Sequence, residues 1–207
     1  MVIDHVNVKR YSAADLPTST GNFRCLVYRS TSTESGQEDE IEEHVALVRG
    51  NVANTASVLA RIHSQCFTSE VLGSLRCDCR DQLNAALERI DLEGTGVLVY
   101  LFQEGRGIGL GNKIRAYELQ DRGVDTVEAN LALGFDADLR SYEIAAAIFD
   151  DLGVRSVRLM TNNPIKIREL EKAGIEVAAQ EPHWTPENSH NVHYLSVMRT
   201  KMGHIEP

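Results

Sequence analysis

Cys66, Cys77 and Cys79 fall within 14 residues, in the pattern Cys66-x10-Cys77-Asp78-Cys79. Thiolates suit a zinc ion, and three of them from one stretch put the fourth coordination position in question. If His63, three residues before Cys66, fills it, the metal only staples a loop to a strand. If water fills it, the metal can activate that water near neutral pH. The spacing differs from the CxxC pairs of common zinc modules, and residue types alone leave both readings open. Cys25 lies apart from the cluster.

Three further segments could carry chemistry. Gly105, Gly107, Gly109 and Gly111 follow the apolar run VLVYLF at residues 97–102. Strand, glycine-rich turn and helix together offer backbone N–H groups to an anion. The glycines match neither GxxxxGK[ST] nor GxGxxG, and a tight structural turn explains them equally. Glu104 and Arg106 sit inside the turn, where they could face a base and a phosphate. Thr161-Asn162-Asn163-Pro164-Ile165-Lys166 has an N-cap followed by proline at the first helical position, which suits phosphate but also a plain cap. Asp136-Ala137-Asp138-Leu139-Arg140 precedes a helical pattern, where capping by an acid and a surface ion pair form the simpler account.

The elements that must position these groups can be read from periodicity. Residues 22–28 (NFRCLVY), 44–49 (HVALVR), 57–62, 97–102, 157–160 and 175–178 read as strands. Residues 80–92, with Leu83, Ala86, Leu87 and Ile90 at helical spacing, read as a helix. So do 112–121, 139–152 and the segment after Asn163 up to Ala173, ended by Gly174. Residues 30–43, rich in Ser, Thr and Glu, read as a flexible acidic connection, and 181–207 as a partly mobile tail. With no repeat and no linker, the expectation is one α/β domain over residues 1–207, with mixed sheets and packed helices.

Composition bounds the function. The 207 residues carry a net charge of −9, with 43% hydrophobic and 25% charged residues. That balance is ordinary for a globular protein and argues against nucleic-acid binding through a broad basic face. A few local Arg and Lys residues can still hold phosphates on an acidic chain. No apolar run approaches the roughly 18 residues that span a bilayer, and the N-terminus mixes Asp4, His5, Lys9 and Arg10 among apolar residues, unlike a signal peptide. A cytoplasmic location without membrane association is the expectation, and in that reducing compartment disulfides are not expected.

Taken together, the ordered motifs resemble GTP cyclohydrolase II from about residue 16 to residue 203. The resemblance rests on Arg61-Ile62-His63-Ser64-Gln65-Cys66, Arg76-Cys77-Asp78-Cys79, Gln103-Glu104-Gly105-Arg106-Gly107-Ile108-Gly109 and Asn112-Lys113-Ile114-Arg115-Ala116-Tyr117. It continues through Asp125-Thr126-Val127-Glu128-Ala129-Asn130, Leu133-Gly134-Phe135 and Leu159-Met160-Thr161-Asn162-Asn163-Pro164, and into the tail at His193-Tyr194-Leu195 and Lys201-Met202-Gly203-His204. The resemblance implies one Zn2+ held by Cys66, Cys77 and Cys79 with an open fourth position. It implies nucleotide contacts from Arg61, Ile62, His63, Ser64, Gln65, Gln82, Glu104, Gly105, Arg106, Thr126, Thr161 and Lys166. Asp138 is implied as proton acceptor and Arg140 as nucleophile toward the α-phosphorus, with Mg2+ assisting. A guanidinium stays protonated and is a poor nucleophile, so clamping phosphoryl charge is its more natural task. Tyr117 is a candidate for positioning or protonating the ring-opened intermediate.

The implied reaction opens the imidazole ring of GTP at C8, releases formate and pyrophosphate, and is carried out by a homodimer in riboflavin biosynthesis. Gln65 replaces the usual Glu, Phe102 a basic residue, Gly111 a bulkier apolar one, and Val197 and Met198 stand where Thr and Lys are usual. These departures open two alternatives, a paralogue with another purine nucleoside triphosphate preference and one that stops at the formamide. The alternative from another class is a nucleotide-binding zinc module without turnover.

Overall fold

The apolar run ahead of Gln103 forms β5 (Gly96–Leu101), a strand buried along nearly its whole length. In this computed structural model, which describes residues 7–31 and 41–205, β5 is where the sheet changes direction. On one side β3 (Ile41–Arg49), β2 (Asn22–Thr31) and β1 (Asn7–Pro17) run antiparallel in turn. On the other, β4 (Val58–Ser64), β6 (Ser156–Met160) and β7 (Glu176–Glu181) are parallel. The order is β1-β2-β3-β5-β4-β6-β7 in one mixed sheet, the α/β class expected.

Alternation along the central strands divides the core between two faces. Ala60, Ile62, Val97, Val99 and Leu159 pack with Ala145, Ile148 and Phe149 of α5 (Glu143–Asp151) and Leu170 of α6 (Pro164–Lys172). Leu59, Leu98 and Met160 point the other way, onto Ala86 and Ile90 of α2 (Cys79–Glu93). Because both faces are covered, β4 reads as a continuous apolar run broken only by Arg61, His63 and Ser64.

Most expected elements appear with shifted ends. β4 extends to Ser64, carrying His63 into the strand, and residues 30, 31 and 41–43 of the expected acidic connection belong to β2 and β3; residues 32–40 lie outside the described residues. The helix expected over 139–152 begins only at Glu143, with Tyr142 as its cap, so Asp138 caps nothing. Four elements have no counterpart in the sequence reading: β1, the four-residue α1 (Phe67–Glu70), α4 (Thr126–Ala132) and α7 (Val192–Met202). β1 is exposed almost throughout, which leaves no alternation to detect; α4 has only seven residues. α7 lies in the segment expected to be partly mobile. No helix among the described residues is long and apolar enough to cross a membrane.

Phe149 is fully enclosed, whereas Leu92 on α2 is 87% exposed. Phe149→Ala is expected to lower the unfolding free energy by about 3–5 kcal/mol and Leu92→Ala by less than about 0.5 kcal/mol, read by denaturant titration. A second expectation concerns His44, which is buried between Ser30 (Nε2 to Oγ, 3.1 Å) and the Phe102 amide, which donates to its Nδ1 at 3.3 Å. Burial pushes its pKa down to about 4, despite Glu42 at 3.8 Å. Below the ordinary histidine value near 6.5 the unfolded chain takes up a proton that the folded chain refuses, so stability is lost as pH falls from 6.5 toward 4. Between pH 7.5 and 5 the wild type should lose about 2 kcal/mol more than His44→Gln. Parallel pH profiles of unfolding would refute the assignment.

Candidate active site

Three neighbouring parallel strands end on the same edge of the sheet, and each feeds one chemical segment into it. β4 ends in Ser64 and leads to Cys66; β5 leads to the glycine turn; β6 leads to Thr161 and α6. The register places Arg61 beside Leu98, and His63 beside Tyr100.

The three Sγ atoms lie within 4.8 Å of one another, with Cys66 and Cys77 3.6 Å apart. Two sulfurs each about 2.3 Å from a tetrahedral ion sit roughly 3.8 Å apart, so the donor set fits zinc. His63 is outside this cluster. Its Nε2 donates to Glu70 Oε1 at 2.7 Å, and its Nδ1 is enclosed without a partner. Glu70 also accepts from the Cys66 amide at 3.0 Å and from the Tyr100 hydroxyl at 2.5 Å, which fixes the turn that carries the first thiol. Hydrogen bonds from Cys77 and Cys79 outweigh burial, which pushes upward, and together with Lys113 they leave the Cys66 sulfur far below the usual thiol range. Lys113, on α3 (Gly109–Gln120), reaches Cys66 Sγ at 3.1 Å and Glu104 Oε1 at 2.6 Å. Glu104 is further held by the amides of Phe67 (2.6 Å) and Gly105 (2.8 Å), the former opening α1 (Phe67–Glu70). Its carboxylate therefore ties the glycine turn to the segment that carries the thiols.

Within that turn Gly105 and Arg106 both have positive φ, +64° and +62°. For arginine this backbone is unfavourable, and its persistence points to a positional demand on the side chain. Arg106 donates to Ala137 O (3.2 Å) and Thr126 Oγ1 (2.6 Å), and its own carbonyl accepts from Leu139 N (3.1 Å). The loop carrying Asp138 and Arg140 is thereby docked against the turn. Arg140 grips Asp138 through Nε (2.8 Å) and Nη2 (2.5 Å), and the pair is largely buried, correcting the surface ion pair expected here. Burial pushes the Asp138 carboxyl upward, but Arg140 outweighs it and holds the pKa below its ordinary value. Burial likewise works against the Arg140 charge, and Tyr142 and Asp138 more than offset it.

Two adjoining cavities result. The first is lined by the three cysteines, Gln65, Glu104, Gly105, Lys113, Tyr117, Thr126 and Asn130. The second is lined by Arg61, His63, Gln82, Thr161, Lys166 and His204. Ser64, Cys79, Arg106, Arg140 and Tyr194 border both. Of the candidate residues only Ile62 and Asp138 line neither: the Ile62 side chain belongs to the core, although its carbonyl accepts from Lys166 Nζ at 2.8 Å, and Asp138 is paired with Arg140, which borders both.

The second cavity gathers four basic side chains, Arg61, Arg106, Arg140 and Lys166, against one buried carboxylate, Asp78. Arg61 donates to Met160 O (2.7 Å) and to Gln82, Arg106 to a carbonyl and a hydroxyl, and Lys166 to the Ile62 carbonyl. All of these acceptors are neutral. Burial lowers the Arg61 pKa to about 10, and burial together with Arg61 and Arg140 drives that of Lys166 well down. Such a cavity needs an anion. Asn163 caps α6 through Ile165 N at 2.9 Å, with Pro164 following, as the sequence predicts.

Several lining residues were not singled out from sequence. Asp78 accepts from Gln82 (2.6 Å) and Thr185 (2.8 Å), joining α2 to the C-terminal segment. Tyr194 and His204 come from that same segment, inside motifs that gave no indication of direction. Phe102 packs edge-on to Tyr100, with centroids 5.3 Å apart, and lines neither cavity. Gly111 is surrounded by open space.

The GTP cyclohydrolase II family profile matches residues 9–182. The chain is 52% identical over 197 residues to GTP cyclohydrolase-2 of Actinobacillus succinogenes, covering 95% of this chain and 88% of that protein. It is 49% identical over 205 residues to GTP cyclohydrolase-2 of Teredinibacter turnerae, covering 99% and 97%. It is 51% identical over 198 residues to the riboflavin biosynthesis protein RibBA of Chlorobium phaeovibrioides, covering 96% of this chain but 47% of that longer protein. With its thiol cluster and cationic cavity on one sheet edge, the chain belongs to the GTP cyclohydrolase II family.

Proposed function

We propose that this protein hydrolyses GTP, opening the imidazole ring at C8 and releasing formate and pyrophosphate to leave a diaminopyrimidinone ribosyl phosphate. The observation that carries the reading is a cavity of buried cations, with only neutral partners for Arg61, Arg106 and Lys166, sharing a wall with three convergent thiols. A triphosphate supplies the missing negative charge, and the purine then falls on the thiol side. Zinc held by Cys66, Cys77 and Cys79 would supply Lewis acidity and an activated water for attack on C8.

The remaining roles belong to the chain itself. Arg61, Arg106 and Lys166 hold the phosphates, with Mg2+ completing their neutralisation. Arg140 clamps charge developing on the α-phosphoryl group, because a buried guanidinium paired with Asp138 remains protonated. Asp138, held as a carboxylate, accepts a proton. The Tyr117 hydroxyl lies 3.4 Å from Thr68 Oγ1, and burial raises its pKa despite Lys113. It is therefore a neutral donor suited to protonating a leaving nitrogen during deformylation. We place the protein in riboflavin biosynthesis in the cytoplasm, acting as a homodimer of single-domain chains.

Cys77→Ser is expected to reduce bound zinc from one per chain to near zero, with formate release lost in parallel; full zinc content by elemental analysis would refute the ligand assignment. Arg140→Ala should suppress pyrophosphate release more than about 10-fold, the factor for 1.4 kcal/mol, while zinc content stays unchanged. Near-normal pyrophosphate release would remove Arg140 from the phosphoryl step.

A further inference from the structure

Asp78 lies between two of the thiols and stands at the N-cap position of α2, yet its side chain makes no hydrogen bond to the amides of the first turn. Asp125, in the same position on α4, accepts from Val127 N (2.8 Å) and Glu128 N (3.1 Å). An aspartate at an N-cap ordinarily satisfies such amides, so the bond that Asp78 forgoes marks another demand on its carboxylate. Asp78 is buried on the wall of the second cavity, where Oδ2 accepts from Gln82 Nε2 at 2.6 Å and from Thr185 Oγ1 at 2.8 Å. Gln82 lies one turn further along α2, and its Oε1 accepts from Arg61 Nη2. His183 Nε2 donates to the Gln82 carbonyl at 2.8 Å, which pins the backbone beneath that amide. The second anchor of Arg61 is the Met160 carbonyl, 2.7 Å from Nη1.

A carboxylate only accepts and a guanidinium only donates, so the amide between them has one workable orientation, nitrogen toward Asp78 and oxygen toward Arg61. Without Asp78 the Gln82 Nε2 loses its acceptor, the amide is free to turn into the cavity, and Arg61 keeps only the Met160 carbonyl. Burial works against the Arg61 charge, and Asp78 is the largest influence in the opposite direction. We infer that Asp78 is a positioning residue for polyphosphate binding, fixing the Arg61 guanidinium on the cavity wall through the Gln82 amide. This rests on the reading of Arg61 as a phosphate-holding residue. The charge of Asp78 has the contrary effect, because a carboxylate in a cavity that takes up an anion repels the ligand. Geometry and charge therefore pull in opposite directions, and substitutions can separate them.

Inorganic triphosphate, titrated calorimetrically into the zinc-loaded protein, reads the cavity without turnover. Asp78→Ala should weaken triphosphate binding at least about 10-fold, about 1.4 kcal/mol, although it removes a repelling charge. Asp78→Asn removes the same charge but keeps an oxygen for Gln82 and Thr185, so its Kd should lie within about threefold of wild type or be tighter. Gln82→Met breaks the chain one link later and should also weaken binding about 10-fold; in that background Asp78→Ala should weaken it by no more than about a further twofold. Zinc content by elemental analysis should stay at one per chain throughout. If Asp78→Ala loses zinc or does not fold, Asp78→Asn and Gln82→Met decide, the second losing affinity and the first not. Unchanged or tighter binding by zinc-loaded Asp78→Ala overturns the inference, because charge alone then accounts for the residue. So does Asp78→Asn binding as weakly as Asp78→Ala, Gln82→Met binding as tightly as wild type, or a full further loss from Asp78→Ala in the Gln82→Met background. Formate release from GTP is measured separately: its absence in a wild type that binds triphosphate overturns the hydrolase reading and leaves the role of Asp78 to the Kd series. A wild type without measurable affinity for triphosphate overturns both.

Discussion

Positive charge is buried here in a chain whose net charge is −9, and much of the architecture follows from keeping it in place. Arg61 and Lys166 come from β4 and α6, on opposite sides of the strand ends, and each is anchored to a backbone carbonyl rather than a carboxylate. Carbonyl anchoring fixes geometry without cancelling charge, so the field remains available to a ligand. The cost is a destabilised empty fold, since like charges face each other in a poorly solvated space. The apolar layers on both sheet faces must offset that cost.

The thiol side obeys a different constraint. There Glu70 and Glu104 each collect several donors and bind the three segments that must meet: the end of β4, the glycine turn and α3. Neither carboxylate has to touch substrate to matter. They set where Cys66 and Arg106 stand, which is the kind of support a metal site and a phosphate site both require.

Much of this was legible in sequence because the chemistry is clustered and the central strands are fully buried. Cys66, Cys77 and Cys79 announce a metal by type and spacing, and the strand at 97–102 announces itself by unbroken hydrophobicity. Asn163-Pro164 gave the start of α6. What escaped had no local signal. β1 exposes nearly every residue, so burial imposes no period on it. α4 is too short for a helical pattern, and α7 has apolar residues that face a polar cavity rather than a core. The Asp138–Arg140 pair looked like a surface feature because its burial depends on Arg106, 32 residues earlier, adopting a left-handed backbone. Long-range docking of that kind is absent from any window of sequence.

The C-terminal segment has a consequence for how the protein is made. Tyr194, Met198 and His204 line the cavity opened by Arg61 and Gln82 more than a hundred residues earlier, and Ile205 N closes on Asn162 O at 3.0 Å. On the ribosome, the β4–β5 pair and α2 can assemble well before these residues emerge. The nascent chain therefore passes through a stage in which its thiols and cations are already gathered but still open to solvent, until residues 194–205 have emerged and docked.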